Sequence, residues 1–575
     1  MSTGTSTRRW RRLADRVVVL SLDDRFWLTS AVATSLCIYL LYLATHPYPA
    51  YGAGLYLKIA ESISSHGYGL PATIPGYTAG GVPFAYPPLA FYLAALSRDL
   101  TGVGAIAYSR FVPGLFVTAT LVPYYVLATD LLGSPRRGGV ATLLFAGTPA
   151  VLQWHLSAGG IVRGLAFLLA ITGAAVGVRL FRTEDPRWLL PATALFGLTV
   201  LAHPTYAVFF GLSYLLLFAG LSRSPRGLLF GAAVASGGVV IATPWLLQVV
   251  ATHGVDIFLD ASGTHGGLFG GPARLLSEFV YPIDLGMEVV VFGAAYLGAA
   301  YALATERYLL PAWLFAGGYF MGKPRFIFVA GAMLTALLFF EVGLPAIRRL
   351  AAASRLGRDH RRAVEIGAVA LLVLSAGATG SAFAAGALDT HDGDRSQPAF
   401  IDGADREAMA WAAAETEPGA DFVVLGDGAE WFPLFTDRTI LVGQWGVEWT
   451  EPARYRQQIQ QFERVSQCDR AACITASLAA SGAQPDYVYV PKGHYTVRGM
   501  THQQAPGMRD SLAASDRYEV VYENEGAIIA RVTPSEPDTS PAPDMPPDPD
   551  TSPDERRVGT IRHSTTASPG SDTPS

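Results

Sequence analysis

Apolar residues come in long blocks through the first two-thirds of the chain, and a mixed pattern takes over beyond about residue 388. The blocks fall at 26–44, 106–131, 138–156, 160–181, 188–202, 204–221, 227–250, 286–304, 308–321, 326–345 and 363–385. Most approach the roughly 18–25 residues that cross a bilayer as a helix. The two blocks near residue 203 are divided only by His203-Pro204. The pattern predicts an all-α polytopic membrane bundle of about eleven transmembrane helices over 26–387. Two long connections stand out, a first at about 45–105 and a second at about 251–285.

Beyond the blocks the period changes. Asp405 to Glu415 reads as a helix, while Asp421 to Leu425 and Asp486 to Val490 are β-branched and aromatic runs bounded by turn residues. Tyr518–Tyr522 and Ala527–Val532 predict a terminal strand pair turning at Glu523-Asn524-Glu525-Gly526. Residues 396–533 are therefore expected to form a small α/β domain. Residues 534–575, dominated by Pro, Asp, Ser and Thr, lack the apolar surface for a core and are expected to be disordered.

Composition agrees with the pattern. The chain has 575 residues, 50% hydrophobic and 15% charged, with a mean hydropathy of +0.30. Soluble chains carry about 25% charge. A soluble enzyme, a nucleic-acid module and a coiled coil are excluded. The net charge of −5 says little, but the placement of cations says more. Residues 1–25 hold six arginines, and no small-residue cleavage site follows the first block, so it is read as a retained span. With the N-terminus inside, the inner segments before residue 388 collect 20 basic residues and the outer ones seven. That bias fixes an orientation in the cytoplasmic membrane, and an odd span number puts 396–533 outside. Cys468 and Cys473 are close enough in sequence to pair in an oxidising compartment, or to be unrelated small residues.

The first outer loop carries the most distinctive text. It runs Tyr51-Gly-Ala-Gly-Leu-Tyr56-Leu-Lys-Ile-Ala-Glu61-Ser-Ile-Ser-Ser-His-Gly-Tyr68, and later Tyr86-Pro87-Pro88-Leu89. This resembles the GT-C membrane glycosyltransferases, the superfamily of protein O-mannosyltransferases and aminoarabinose transferases. Their layout is a basic N-terminus, one span, and a large outer loop with short helices lying on the membrane. The resemblance implies a GT-C-like fold over residues 20 to about 345. It also implies transfer of a sugar from a polyprenyl-phosphate donor to an envelope glycan, lipid or protein, with no nucleic-acid partner.

Such transfer requires a carboxylate base for the acceptor hydroxyl, cations for the leaving phosphate, and a groove for the lipid. Family members carry an acid just after the first span, at the position that is Gly52 here. The resemblance thus leaves three options. Glu61, five residues after Tyr56, is the base; or Asp256, Asp260, Glu278 or Asp284 of the second loop is; or the chain is a non-catalytic binding or scaffold subunit. For donor binding the resemblance and the cost of charge near a span point to Tyr56, Arg163, His203, Lys323 and Arg325. Trp154 and His155 are expected as interface aromatics. Nothing in 396–533 has a nucleophile–base pattern or a metal-ligand spacing. No metal ligand is assigned, and use of a divalent metal is left undecided. A transporter is disfavoured by the absence of internal repeats, and an oligosaccharyltransferase by the absence of its Trp-Trp-Asp motif. The nearest text to that motif is Gln444-Trp445-Gly446-Val-Glu448-Trp449.

Overall fold

The computed structural model describes residues 21–264, 288–353, 358–388 and 396–533. The basic stretch before residue 21, the second-loop acids Glu278 and Asp284, and the tail 534–575 lie outside the described residues. The chain up to Thr533 forms one compact unit.

Helices α1 (Leu22–Thr45), α2 (Gly54–Ser65), α3 (Leu89–Thr101) and α4 (Ala105–Leu132) come first. They are followed by α5 (Pro135–Ala146), α6 (Pro149–Leu156), α7 (Gly160–Thr183), α8 (Leu189–Ala202), α9 (Pro204–Leu221), α10 (Pro225–His253) and α11 (Asp256–Thr264). The bundle closes with α12 (Glu288–Ala304), α13 (Leu309–Tyr319), α14 (Pro324–Leu338), α15 (Leu344–Ala353) and α16 (Arg358–Ala384). A π-turn, Phe339–Gly343, joins α14 to α15.

Helix starts are written locally. Ser21 and Asp24 form a capping box on α1. Five helices (α5, α6, α9, α10 and α14) open on a proline in the first turn, where a missing N–H costs nothing.

Seven helices among the described residues are long and apolar enough to cross a membrane, so the protein is a multi-pass membrane protein. The other four apolar blocks make shorter pieces. The block at 138–156 breaks at Gly147-Thr148-Pro149 into α5 and α6, because Pro149 has no N–H to continue the ladder. The break lets α16 approach: a Cβ on Gly380 would sit 2.8 Å from Gly147 Cα. Arg137 and Arg307, from two segments that the charge count put on one side, meet on Glu341 at 2.7 and 2.9 Å.

In the first long loop β1 (Thr73–Ile74) pairs with β2 (Val82–Pro83), and after α16 come β3 (Asp421–Val424), β4 (Thr439–Ile440), β5 (Tyr487–Pro491), the hairpin β6 (His494–Val497) and β7 (Met500–Gln503), β8 (Tyr518–Glu523) and β9 (Ala527–Val532). Five of them form a sheet of order β4-β3-β5-β9-β8. β3 runs parallel to β4 and β5, and β9 is antiparallel to β5 and β8. Cys468 and Cys473 form a disulfide in the same region.

The first long loop does not stand apart from this sheet. Thr78 N donates to Ile440 O and Ile440 N to Gly76 O, both at 2.9 Å, so the loop pairs with the exposed edge of β4. A second seam joins Tyr51 N to Pro398 O at 2.7 Å. Trp449 packs edge-on against Tyr86 of the loop, ring centres 5.0 Å apart.

Candidate functional site

The two seams bring one carboxyl group to a particular spot. β3 ends at Val424, and the chain continues through Gly426 into the short 3₁₀ turn Asp427–Glu430. Glu430 is buried at 5% exposure. Its backbone oxygen accepts from Tyr77 Oη at 2.6 Å, which ties the turn to the first loop. Its carboxyl group lies against the backbone of Gly52. A Cβ built on Gly52 would be 1.7 Å from Glu430 Oε2, and one on Gly54 would be 2.0 Å from Glu430 O. No side chain fits at either position while Glu430 is there.

Burial, and then the neighbouring Asp427 charge, push Glu430 up to about 8, against the pull of Arg163 and a hydrogen bond from the Trp445 side chain. Asp427 is itself fixed by the N–H groups of Arg498 and Gly499, at 2.9 and 2.7 Å. Glu448 is pushed up to about 7, again by burial. Tyr56 faces the same space, where its hydroxyl feels Arg163, Glu430 and Glu448. Two buried carboxyl groups raised toward neutrality, one of them beside Arg163, mark this space as the candidate site.

The cations come from the bundle. Arg163 sits in the first turn of α7, over the Trp154 ring at 5.3 Å. Gly159 leaves it room, since a Cβ there would be 2.2 Å from Arg163 Nη1. Arg325, in the first turn of α14, is 6% exposed, and its Nε has no partner. Its guanidinium lies 5.5 Å from the Tyr206 ring. Tyr206 Oη is 2.6 Å from His155 Nε2, and His155 Nδ1 is 2.6 Å from Val151 O. The Val151 carbonyl can only accept, so Nδ1 carries the proton and Nε2 accepts from Tyr206. Among the described residues neither Arg163 nor Arg325 has a carboxylate within ion-pair distance. Two guanidiniums that are near each other and not ion-paired fit an anionic group, and bidentate donors fit a phosphate.

The expected residues divide. Tyr56, Arg163 and Arg325 converge with Gly52. His203 is next to the site but caps α9, accepting from Thr205 N at 3.3 Å, and its ring stands edge-on to Tyr206 at 5.1 Å. Lys323 is exposed at the entry to α14. Glu61 is elsewhere. Five residues at 100° per residue turn it about 140° from Tyr56 on α2. It is half-exposed and pairs with Lys58 at 3.5 Å, while Lys58 also pairs with Asp437. Asp256 is exposed on α11. Among the described residues no three His, Cys, Asp or Glu side chains converge as a metal site.

Sequence reasoning missed Glu430, Glu448 and His155. One signal for the first was available. Acids just after an apolar strand and a Gly lie at the carboxyl end of a parallel strand, where open α/β sheets gather their functional groups. The Gln444–Trp449 run, unlike the motif sought there, nevertheless brings Trp445 and Glu448 to the site.

No family model matches the chain, and no curated protein matches it in sequence. Among solved structures it is similar to the archaeal oligosaccharyltransferase AglB from Archaeoglobus fulgidus, solved with an inhibitory peptide and a dolichol-phosphate. Identity is 12% and the TM-score 0.51, over 82% of this chain and 70% of that one. It is also similar to ArnT from Cupriavidus metallidurans in the apo state, at 14% identity and a TM-score of 0.53, over 88% and 97% of the two chains. At such identities the likeness is one of fold, and the chain has the fold of the GT-C membrane glycosyltransferases.

Proposed function

We propose that the protein is a membrane glycosyltransferase that moves a sugar from a polyprenyl-phosphate donor to a cell-envelope acceptor on the outer face. The observation that carries this reading is Glu430, whose carboxyl group fills the space of a side chain at position 52 within reach of Arg163 and Tyr56. Glu430 takes the proton of the acceptor hydroxyl as the new C–O bond forms to the sugar. The bond from the sugar to the phosphate breaks, and the charge of the departing polyprenyl phosphate grows toward Arg163 and Arg325. One base and direct displacement invert the sugar carbon. Tyr56 and the His155–Tyr206 pair hold the guanidiniums in position.

The remaining parts of the reading go together. The eleven apolar segments are taken as spans, which sets the first loop and the sheet outside and Arg137, Arg307 and Glu341 inside. The Cys468–Cys473 disulfide supports an oxidising side for the sheet. A scaffold role drew its support from the glycine at position 52, and Glu430 removes that argument.

The test is turnover of polyprenyl-phosphate sugars by the full chain in lipid nanodiscs, scored as released polyprenyl phosphate. Arg163→Ala is expected to lower kcat/KM about 10- to 100-fold, the loss of charge-assisted hydrogen bonds worth about 1.5–3 kcal/mol. A panel of donors that are all bound and never turned over would return the chain to the scaffold reading. Mass spectrometry of surface glycans from a strain lacking the chain then names the sugar and the acceptor.

A further inference from the structure

Tyr51 directly precedes Gly52, and its backbone lies in the left-handed region, with a φ of +57°. An aromatic side chain is uncommon there and strains the chain, whereas a glycine would adopt the same bend freely. The backbone around it is pinned from two sides. Ala50 N donates to Tyr42 Oη at 2.8 Å, and Ala50 O accepts from Ala158 N at 3.0 Å. Tyr51 N donates to Pro398 O at 2.7 Å. The bend between α1 and α2 is thus held by the bundle and by the segment that leads to the sheet.

The Tyr51 ring reaches both halves of the site. On the bundle side it lies against Trp154, ring centres 4.9 Å apart, and the Arg163 guanidinium lies over the same indole at 5.3 Å. On the sheet side it meets Phe400 edge-on at 5.8 Å. It also meets the tip of the β6–β7 hairpin, where a Cβ on Gly499 would be 3.3 Å from Tyr51 Cε1. That tip is the two-residue turn Arg498-Gly499, with φ of +54° and +81°. Its two N–H groups are the ones that hold Asp427, in the same short turn as Glu430. One ring therefore touches the support of the cation and the support of the acid. Closing the seam requires neither contact, because the Tyr51 N bond to Pro398 and the pairing with β4 already close it.

We propose that Tyr51 is a positioning residue that couples Arg163 to Glu430: its ring fixes the indole beside the guanidinium and the hairpin tip that holds the turn of the acid, so that the two halves of the site keep one spacing. The inference rests on the reading of Glu430 as base and Arg163 as phosphate ligand, but the coupling itself is measurable without turnover.

The experiment compares the parent, Tyr51→Gly and Tyr51→Phe as full chains in lipid nanodiscs. Glycine accepts the left-handed bend, so loss of the ring is separated from backbone strain, and phenylalanine keeps the ring. Hydrogen exchange of the Ala158 and Arg163 amides reads the bundle side, and that of the Arg498 and Gly499 amides reads the sheet side. Tyr51→Gly is expected to speed exchange about 10-fold or more on both sides, while the amides of β3 and β5 stay as protected as in the parent. In turnover it is expected to lower kcat/KM by about 10-fold or more, the effect of displacing reacting groups from outside the chemistry. The acid limb of its pH profile moves to lower pH, because burial is what raises Glu430 and a loosened turn admits water. Tyr51→Phe is expected to keep the parent's exchange, rate and pH limb. Exchange in Tyr51→Gly that is unchanged, or faster on one side only, would overturn the coupling. So would faster exchange on both sides with the parent's rate and pH limb, since the ring would then only pack the seam. A parent that turns over no donor, with both sides loosened in Tyr51→Gly, would remove the transferase reading and leave the coupling standing.

Discussion

Glu430→Gln is expected to reduce transfer by about 10²–10⁴-fold, the range in which a positioned general base contributes. The amide is isosteric and keeps the contact with Gly52, but it cannot take a proton. The same substitution is expected to make the protein more stable. The Glu430 carboxyl group titrates near 8 when folded, against its ordinary 4.5. Between those values the folded chain holds a proton that the unfolded chain has released. Stability therefore falls as pH rises through that window and levels off above it. Gln removes the liability, so its Tm advantage over the parent grows from pH 5 to pH 8 and then stays constant. In activity the expected sign is opposite for the parent: kcat/KM rises with pH up to about 8 as the Glu430 carboxylate becomes free. A variant that loses activity and stability together would mean that Glu430 holds the fold and does not serve the chemistry.

Gly52→Asp is expected to be severely destabilising by itself and tolerated when Glu430 is removed. The new Cβ would stand 1.7 Å from Glu430 Oε2, so the buried Glu430 carboxyl group must leave its place. A second carboxylate would also be set beside a buried first one. In the double variant Gly52→Asp, Glu430→Gly the acid arrives from the loop instead, in nearly the same space. Recovery of Tm to near the parent value, with activity at least 10-fold above that of Glu430→Gly alone, is the expected outcome. If the double variant stays as unstable as Gly52→Asp, the two positions do not exchange, and the glycine has another cause. Thermal shift and donor turnover on the same four proteins decide it.

This pair also explains what was legible in the sequence. The helices of the bundle were legible because apolar length is a local property, readable within one segment. His203-Pro204 gave a correct helix boundary for the same reason, and so did the strands starting at Asp421 and Ala527. Thr148-Pro149 carried the same signal, and the length of the apolar block masked it. Arg163 and Arg325 were legible as conspicuous cations beside apolar runs, and the structure brings the two near each other. The acid was not. Glu430 lies 378 positions after Gly52, and only the pairing of the loop with the edge of β4 brings them together. Along the outer loops the sequence therefore offered only Glu61, whose helical phase turns it toward Lys58, the acids of the second loop, or no base at all. A substituted position and its replacement can be joined by folding alone, and no spacing rule links them.

The pairing of the first loop with β4 has a further consequence in time. Ile440 and Glu430 are synthesised after every apolar segment of the bundle, while their partners Thr78 and Gly52 lie just beyond the first. Through the whole of insertion the early half waits with an open strand-like edge and a vacant space at residue 52. A chain stopped or cleaved before residue 430 has its guanidiniums and no carboxyl group to oppose them. Assembly order thus withholds the acid until the last part of the polypeptide has reached the side of the membrane where the first loop already is.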